Sequence, residues 1–475
     1  MKESERLLAK IREGQDITNS EKLKLIVSLS IPSILAQMTS TLMFFIDASM
    51  VGALGAEASA AVGIVDTTTW LFGSLTGAAS MGFGVMVAHA IGANDMAKAR
   101  RIMRQGLVAA LSFSFFILAL AVAVHWRLPL WLGGGEDIHY NASMYFLLFS
   151  LSIPFFQLVS YSGTMLKCSG NMKVPSMLNI MMCVLDVCFN FLLIYPTRVV
   201  CLSPFGSDLS FVCPGAGLGV VGAAIGTSMA ITVTAVLMAF FAFFRSSLLR
   251  LQLDKVRRWR PQRQNVLAAA KLSAPMALQY CLMNGAQMVA TVIVAPLGNF
   301  AIAANCFAIT VEAVCYMPGY GIADAATTLV GQSIGAKRLD LCRAFAFRAI
   351  AMGMLIMALM GGVMYLFAPE LMHVLSPVRE IIDLGAEALR IEAFAEPMFA
   401  AAIICNSIFI GAGDTLIPAC MNLGTMWGIR ITLAYFLAPL WGLAGVWTGM
   451  AVELSMRGFI FLVRFFKGNW MKKGR

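Results

Sequence analysis

Two related stretches decide the fold of this chain: SIPSILAQMTSTLMFFIDASMVGALG at residues 30–55 and SAPMALQYCLMNGAQMVATVIVAPLG at residues 273–298. Each is longer than the roughly 20 apolar residues that a helix needs to cross a bilayer. The second stretch repeats the first at an offset of 243 residues, so that Ser30-Ile31-Pro32 corresponds to Ser273-Ala274-Pro275. We therefore predict a membrane protein built from two related halves.

The composition of the whole chain agrees with this prediction. The 475 residues are 59% hydrophobic and 13% charged, whereas soluble proteins carry about 25% charged residues. A water-soluble globule and a disordered chain are both excluded. Each apolar run is predicted to be a helix, since lipid offers the backbone no hydrogen-bond partners. Twelve such runs lie at residues 25–52, 57–90, 106–125, 141–166, 176–195, 216–244, 265–295, 300–333, 344–367, 383–410, 418–437 and 442–466.

The internal repeat divides these crossings into two sets of six. The offset of 243 continues through Pro154 and Pro397 and through Asn179 and Asn422. Because six is even, both sets start on the same side of the membrane, as parallel repeats do in transporters. We predict an all-α fold of two six-helix lobes with these segments: an arm at 1–24, an N-lobe at 25–244, a basic linker at 245–264, a C-lobe at 265–466 and a tail at 467–475.

The basic residues predict the orientation. With the N-terminus inside, 29 of the 35 Lys and Arg residues fall in cytoplasmic segments, as the positive-inside rule requires. We expect a multi-pass protein of the cell (inner) membrane with both termini cytoplasmic. The net charge of +10 then reflects topology rather than binding to nucleic acid. We expect the linker to touch anionic headgroups, and a regulatory site there is the alternative.

At this point the chain resembles the multidrug and toxic compound extrusion (MATE) family over nearly its whole length. The order and spacing of five segments carry the resemblance: PSILAQMTSTLMFFIDASMVGAL at 32–54, VGQSIGA at 330–336, IGAGDT at 410–415, GIRITLAY at 428–435 and GLAGVW at 442–447. The resemblance implies a V-shaped antiporter of twelve helices that exports organic cations and other amphipathic compounds, driven by inward H⁺ or Na⁺. It also implies a monomer.

Acids inside the crossings are candidate functional residues, because a charge in hydrocarbon is costly. Asp47 resembles the acid in the first helix of the family, which binds the driving cation in an N-lobe cavity. Asp186 and Asn190 lie four residues apart on one helix face, in the reverse of the order usual in the family. The alternatives are that Asp47 faces water or caps a bend and that Asp186 hydrogen-bonds a neighbouring helix.

Two further residues complete the predicted cation-coupling set. Tyr145 matches a tyrosine of the family's cavity and Thr227 matches a hydroxyl position, although Tyr145 also fits an interfacial belt. We favour H⁺ over Na⁺ at Asp47 and Asp186, because a carboxyl group needs fewer partner oxygens to bind a proton than to enclose Na⁺. No cofactor and no other metal is expected.

The predicted substrate cavity draws on both lobes. An acidic and aromatic row on the eighth crossing suits a flat cation through charge and cation–π attraction. The alternative is that its acids pair with bases elsewhere. Asp66 and Gln37 are placed in the same cavity. The cavity residues are thus Gln37, Asp66, Glu312, Tyr316 and Asp324.

Three structural features are also expected. Arg430 and Glu453 lie at similar depth, so an ion pair between their helices is predicted. Arg390, Glu392 and Glu396 begin the tenth crossing and suggest a water-filled outer vestibule. In the outer loop at 196–215, a disulfide between Cys201 and Cys213 is expected in an oxidising compartment, and two free thiols are the alternative.

Two other function classes compete with the exporter. A flippase for lipid-linked or polysaccharide precursors has related architecture, but its cavity needs several Arg residues for phosphate. A membrane enzyme needs a nucleophile and base or a set of metal ligands. The four His residues lie near helix ends and form no such set, so we expect that the chain is not an enzyme.

Overall fold

The computed structural model describes residues 3–202, 209–253 and 259–472. These ranges are almost entirely helical. The helices are α1 (Glu3–Arg12), α2 (Asn19–Gly52), α3 (Ala56–Gly92), α4 (Met96–Val124), α5 (Leu128–Trp131), α6 (Glu136–Leu151), α7 (Ile153–Cys168), α8 (Lys173–Ile194), α9 (Gly219–Phe240), α10 (Arg263–Val294), α11 (Asn299–Gly335), α12 (Leu339–Leu366), α13 (Ala368–Leu375), α14 (Arg379–Ala393), α15 (Glu396–Gly411), α16 (Leu416–Thr425) and α17 (Thr432–Lys467).

Nine helical segments in the described ranges are long and apolar enough to cross a membrane. Two bent pairs add one crossing each. The helices α6 and α7 meet at 43°, and α14 and α15 meet at 59°. Each bend lies just before a proline in the first turn of the second helix, where proline is tolerated although it interrupts a continuous helix.

The segment Leu416–Lys467 contains 52 residues and supplies two crossings. Gly442 has φ 59° and ψ −136° in the middle of α17, a backbone conformation that glycine adopts without a steric cost. The chain then turns back, so that Gly445 packs against the carbonyl of Leu437 and Gly449 against the backbone of Ala434. These two helices complete the twelve crossings and confirm the predicted fold class.

The backbone repeats between the lobes as the sequence does. Residues in the left-handed region recur at the offset of 243, and the bend at Ser152 recurs at Ala395. The φ angles of the matching pairs are 115° at Gly55 and 100° at Gly298, 58° at Asn94 and 57° at Lys337, and 88° at Gly170 and 82° at Gly413. The two lobes, α2–α9 and α10–α17, therefore share one chain path.

One end of the bundle, which we call the terminal face, carries both ends of the described chain and the connection between the lobes. Arg338 donates a hydrogen bond of 2.9 Å to the carbonyl of Gly14. Asn265, just after the connection, donates one of 2.7 Å to Gln105. The opposite end, the hairpin face, carries the strands β1 (Pro196–Leu202) and β2 (Leu209–Ala216), which pair antiparallel.

The lobes meet where α3 and α11 approach the terminal face. Gly92 packs directly against the backbone of Gln332, and Gly335 packs against the backbone of His89. A side chain at either glycine would collide with the opposite helix. Small residues therefore allow the two lobes to touch backbone to backbone at this end.

The N-terminal arm contains a helix that the sequence patterns did not predict. Leu7, Leu8 and Ile11 of α1 are at most 3% exposed, because they lie on one face of an amphipathic helix. They pack in one cluster with Met172 of the N-lobe and Phe345 of the C-lobe. The arm therefore joins the two lobes across the terminal face.

The predicted disulfide lies outside the described part of the chain, which does not include the side chains of residues 198–213. The backbone register there places Cys201 opposite Ser210 and Cys213 opposite Arg198. The described parts of the insertion, Pro196–Leu202 and Leu209–Ala216, are thus two paired antiparallel strands.

Candidate functional site

The structure brings three predicted residues of the N-lobe together. The side-chain amide of Asn190 donates to Asp47 Oδ1 at 3.1 Å and to Asp186 Oδ2 at 3.3 Å. The carboxyl groups of Asp47 and Asp186 lie beside each other. One amide thus holds two acids from α2 and α8 in a single cluster.

Close packing of α8 against α9 shapes this cluster. The Cα of Gly226 faces the side chain of Asn190, and a methyl group at this position would overlap its Oδ1 atom. Asp186 and Asn190 are each 1% exposed, whereas Asp47 is half-buried. The cluster is therefore closed on the α8 side and accessible from the side of α2.

Some oxygen atoms of the cluster accept no hydrogen bond from the described residues. Asp186 Oδ1 and Asn190 Oδ1 are buried and receive no hydrogen bond from the described residues. The charged side chain beside Asp186 is the carboxylate of Asp47. Two carboxylates placed side by side without a base repel each other, so this arrangement favours binding of a proton or another cation.

The neighbours of the cluster include the two other predicted coupling residues and one that was missed. The Thr227 hydroxyl lies beside Asp186, and Tyr145 lies near Asp47, Asp66 and Asp186. Cys183 lies between Ser40 and the acids. Cys183 was missed in the sequence analysis. Its position one turn before Asp186 indicates the same helix face, but cysteines are common in the apolar helices of this chain.

Asp66 belongs to this same region of the N-lobe. It is half-buried on α3, and Thr69 of its own helix donates to its backbone oxygen at 2.7 Å and to Oδ1 at 3.4 Å. Its neighbour Tyr145 connects it to the cluster. Gln37 is half-buried on α2, ten residues before Asp47.

The acidic and aromatic row on α11 does not form one cavity lining. Glu312 is 4% exposed and lies near Arg430, so the alternative of pairing with a base applies to this acid. The Tyr316 ring packs at 5.5 Å from that of Phe399 and at 5.8 Å from that of Tyr320.

Asp324, at the other end of the row, is also corrected. Its Oδ2 lies 2.7 Å from Lys167 Nζ and accepts a hydrogen bond of 2.6 Å from Ser33 Oγ. Both partners belong to the N-lobe. Helix α11 carries Asp324 towards the terminal face, where the lobes touch, so this acid joins the lobes, in agreement with the alternative that it pairs with a base.

The predicted ion pair between Arg430 and Glu453 is wrong in its partner. Glu453 is paired with Arg457, through bonds of 2.7 and 2.8 Å. Arg457 lies four residues on in the same helix, where side chains meet without any dependence on helix packing. Arg430 instead donates to Gln287 Oε1 at 3.5 Å and to Met450 Sδ at 2.8 Å.

The expected outer vestibule is also wrong for two of its three residues. Glu392 and Glu396 are 0% exposed, and none of their four carboxyl oxygens accepts a hydrogen bond within the described ranges. They lie at the bend between α14 and α15, which turns them into the C-lobe core. Together with Glu312, Arg430 and the Glu453–Arg457 pair they form a buried charged cluster.

The residues that the structure describes contain no group of three or more His, Cys, Asp or Glu side chains arranged to hold a metal ion. The N-lobe cluster has two carboxyl groups, an amide and a hydroxyl. Its chemistry therefore suits a proton, or an alkali cation bound by oxygen atoms, better than a transition metal.

The two lobes and their buried acids define a helical integral membrane protein of repeated architecture. The sequence profile of the family MatE matches residues 32–192 and 275–436, which make up more than half of the chain. The chain belongs to the MatE family.

Relatives and solved structures agree with this assignment. The probable multidrug resistance protein NorM of Thermotoga maritima is 23% identical over 456 residues, which cover 95% of this chain and 93% of that protein. A crystal structure of a MATE protein in complex with MaD3S has a TM-score of 0.85 at 20% identity and covers 94% of this chain and 96% of its own. The Vibrio cholerae MATE transporter VcmN in its bent form has a TM-score of 0.81 at 18% identity, with 96% and 98% covered.

Family membership confirms the predicted resemblance and the fold. It also agrees with the expectation that the chain is not an enzyme, since the related proteins are transporters.

Proposed function

We propose that this protein exports small amphipathic, cationic compounds across the cell (inner) membrane, with inward movement of H⁺ as the driving reaction and Na⁺ as the alternative ion. The Thermotoga relative is named a probable multidrug resistance protein, which supports the export of drugs. The terminal face is the cytoplasmic side in this proposal, and the protein acts as a monomer without a cofactor.

The observation that carries the proposal is the contact between Asp47 and Asp186 under one shared amide. Ionisation of both neighbouring carboxyl groups costs free energy, because the two negative charges repel each other. A proton that enters from the hairpin face neutralises one of them, and its release on the terminal side restores the repulsion. Such a cycle provides two states of the N-lobe that differ in charge, as coupling requires.

Alternating access then follows from the two-lobe build. Parallel repeats rock against each other about a binding site near the midplane. The competing flippase function is less well supported, because Arg430 and Arg457 lie among the C-lobe acids and are not free to bind phosphate.

The test uses the purified protein in lipid vesicles loaded with a fluorescent organic cation. An imposed pH gradient or Na⁺ gradient is applied to the wild type, to Asp47→Asn and to Asp186→Asn. Asp383→Asn is the matched control, because its carboxylate is 73% exposed and pairs only at 4.0 Å with Arg379. The proposal is supported if the pH gradient drives transport by the wild type and by Asp383→Asn, and if Asp47→Asn and Asp186→Asn have both lost this transport.

Transport that only a Na⁺ gradient drives would replace H⁺ with Na⁺. Transport that survives both Asp47→Asn and Asp186→Asn would remove the N-lobe cluster from the mechanism. Absence of dye movement under either gradient would contradict the exporter and favour the flippase.

A further inference from the structure

The lobes are joined at the terminal face by one polar cluster that bridges three helices. Asp324 of α11 in the C-lobe accepts from Ser33 of α2 at 2.6 Å and pairs with Lys167 of α7 at 2.7 Å. Ser33 is 1% exposed, and the side chains of Lys167 and Asp324 are 27% and 19% exposed. The contact is thus largely shielded from water. A hydrogen bond between charged groups is stronger in such a shielded place than it is in water.

The repeat supplies an internal comparison for this cluster. At the offset of 243, Ser33 corresponds to Met276, Lys167 to Ile410 and Met81 to Asp324. Met276 and Ile410 are 3% and 6% exposed and pack together with Met81 in one apolar cluster. The same three positions therefore join the lobes twice, once through an ion pair and once through apolar side chains.

The two contacts respond differently when the lobes separate. An ion pair and its hydrogen bond weaken steeply once the distance and angle change. Methionine and isoleucine side chains keep dispersion contact while they slide, since Met is flexible and adaptable. The polar contact is thus expected to be the more sensitive of the two to a change in the separation of the lobes.

We propose that Ser33, Lys167 and Asp324 form a latch that holds the terminal face closed. The three are positioning residues that act on lobe separation. The latch does not depend on the proposed function.

The test measures lobe separation directly. Spin labels are attached to cysteines introduced at Lys98 in the N-lobe and Arg343 in the C-lobe, two exposed residues near the terminal face, in a chain whose other cysteines are replaced by alanine. Pulsed electron resonance then gives the distance distribution in lipid. We expect Asp324→Asn and Lys167→Met each to raise the population with separated labels about tenfold, as the loss of a charged hydrogen bond predicts.

The double variant K167D/D324K restores the pair with exchanged charges and should return the distribution most of the way to the wild type. Asp383→Asn is the matched control, because it breaks only a pair of 4.0 Å with Arg379 within α14 and should leave the distribution unchanged. Melting temperatures of all variants identify any that fail to fold.

Single variants that leave the label distance unchanged would overturn the latch. The latch would also be overturned if K167D/D324K showed as large a population with separated labels as the single variants. If dye transport fails while the latch variants still shift the distance, the proposed substrate is wrong and the latch remains.

Discussion

His89 and Gln332 occupy equivalent positions in the two lobes, and each binds a backbone carbonyl of the opposite lobe. His89 Nε2 lies 2.8 Å from the carbonyl oxygen of Gly411, and Gln332 Nε2 donates to that of Cys168 at 2.8 Å. The acceptors are themselves related by the offset of 243. Two matching bonds about a pseudo-two-fold axis therefore contribute to the contact between the lobes at the terminal face.

The first prediction concerns these two bonds. His89→Ala and Gln332→Ala each remove one neutral hydrogen bond, which contributes about 1 kcal/mol. We expect a roughly fivefold rise in the population with separated lobes in each variant, measured by the distance between labels at positions 98 and 343. Ser112→Ala, which removes only a bond of 2.8 Å within α4, should have no effect. A shift in one variant alone would contradict the equivalence of the two bonds.

The second prediction concerns the order of Asp186 and Asn190. Both side chains face Asp47 across one turn of α8, and Asn190 donates to both acids. The single change Asp186→Asn should abolish pH-driven transport because it leaves one acid in the cluster. The exchanged variant D186N/N190D keeps two acids and one amide, so it should recover a measurable part of the rate in the vesicle assay. Equal inactivity of the two variants would imply that position 186 itself is essential.

The third prediction separates paired from unpaired acids in the C-lobe. Glu453→Gln leaves the buried Arg457 without its carboxylate, and we expect a loss of about 3–5 kcal/mol in the free energy of unfolding. Glu392→Gln removes a carboxyl group that accepts no hydrogen bond from the described residues, so we expect a change below about 1 kcal/mol. Denaturant unfolding followed by tryptophan fluorescence measures both. A similar loss in both variants would mean that Glu392 has a stabilising partner.

The fourth prediction concerns the amphipathic helix α1. Ile11 is 0% exposed and packs between the lobes, so Ile11→Ala should weaken the terminal face by about 2–5 kcal/mol. The expected result is a larger population with separated lobes at positions 98 and 343. Arg6→Ala, on the exposed side of the same helix, is the control. An unchanged distance distribution in Ile11→Ala would show that α1 lies on the surface without restraining the lobes.

Much of the N-lobe cluster around Asp47 and Asp186 was predictable from the sequence. Asp47, Asp186, Asn190, Thr227 and Tyr145 were all predicted on one site, and the structure places them in one region. The helix spacing of Asp186 and Asn190 guarantees that these two share a face. Their contact with Asp47 depends on the docking of α2 against α8, for which the resemblance to a known family was the only guide.

The C-lobe was less predictable because its partners depend on helix bends. The bend before Glu396 turns Glu392 and Glu396 inward, and no local pattern distinguishes this from an exposed helix start. Arg430 and Glu453 do lie in one charged cluster, but the carboxylate of Glu453 pairs with Arg457, which is nearer. Depth along a helix was readable from sequence, and rotation about its axis was not.

The sequence by itself determined the number of crossings, their division into two repeats and the shared helix face of Asp186 and Asn190. These follow from the length of the apolar runs, from the 243-residue offset and from helix periodicity, which can be read along the chain without knowing how the helices pack. Only the tertiary structure decided that Asp324 joins Lys167 and Ser33, that α1 covers the junction of the lobes and that Glu453 belongs to Arg457. Such contacts depend on how far apart two helices lie and which faces they present, and these are settled by packing over the whole molecule.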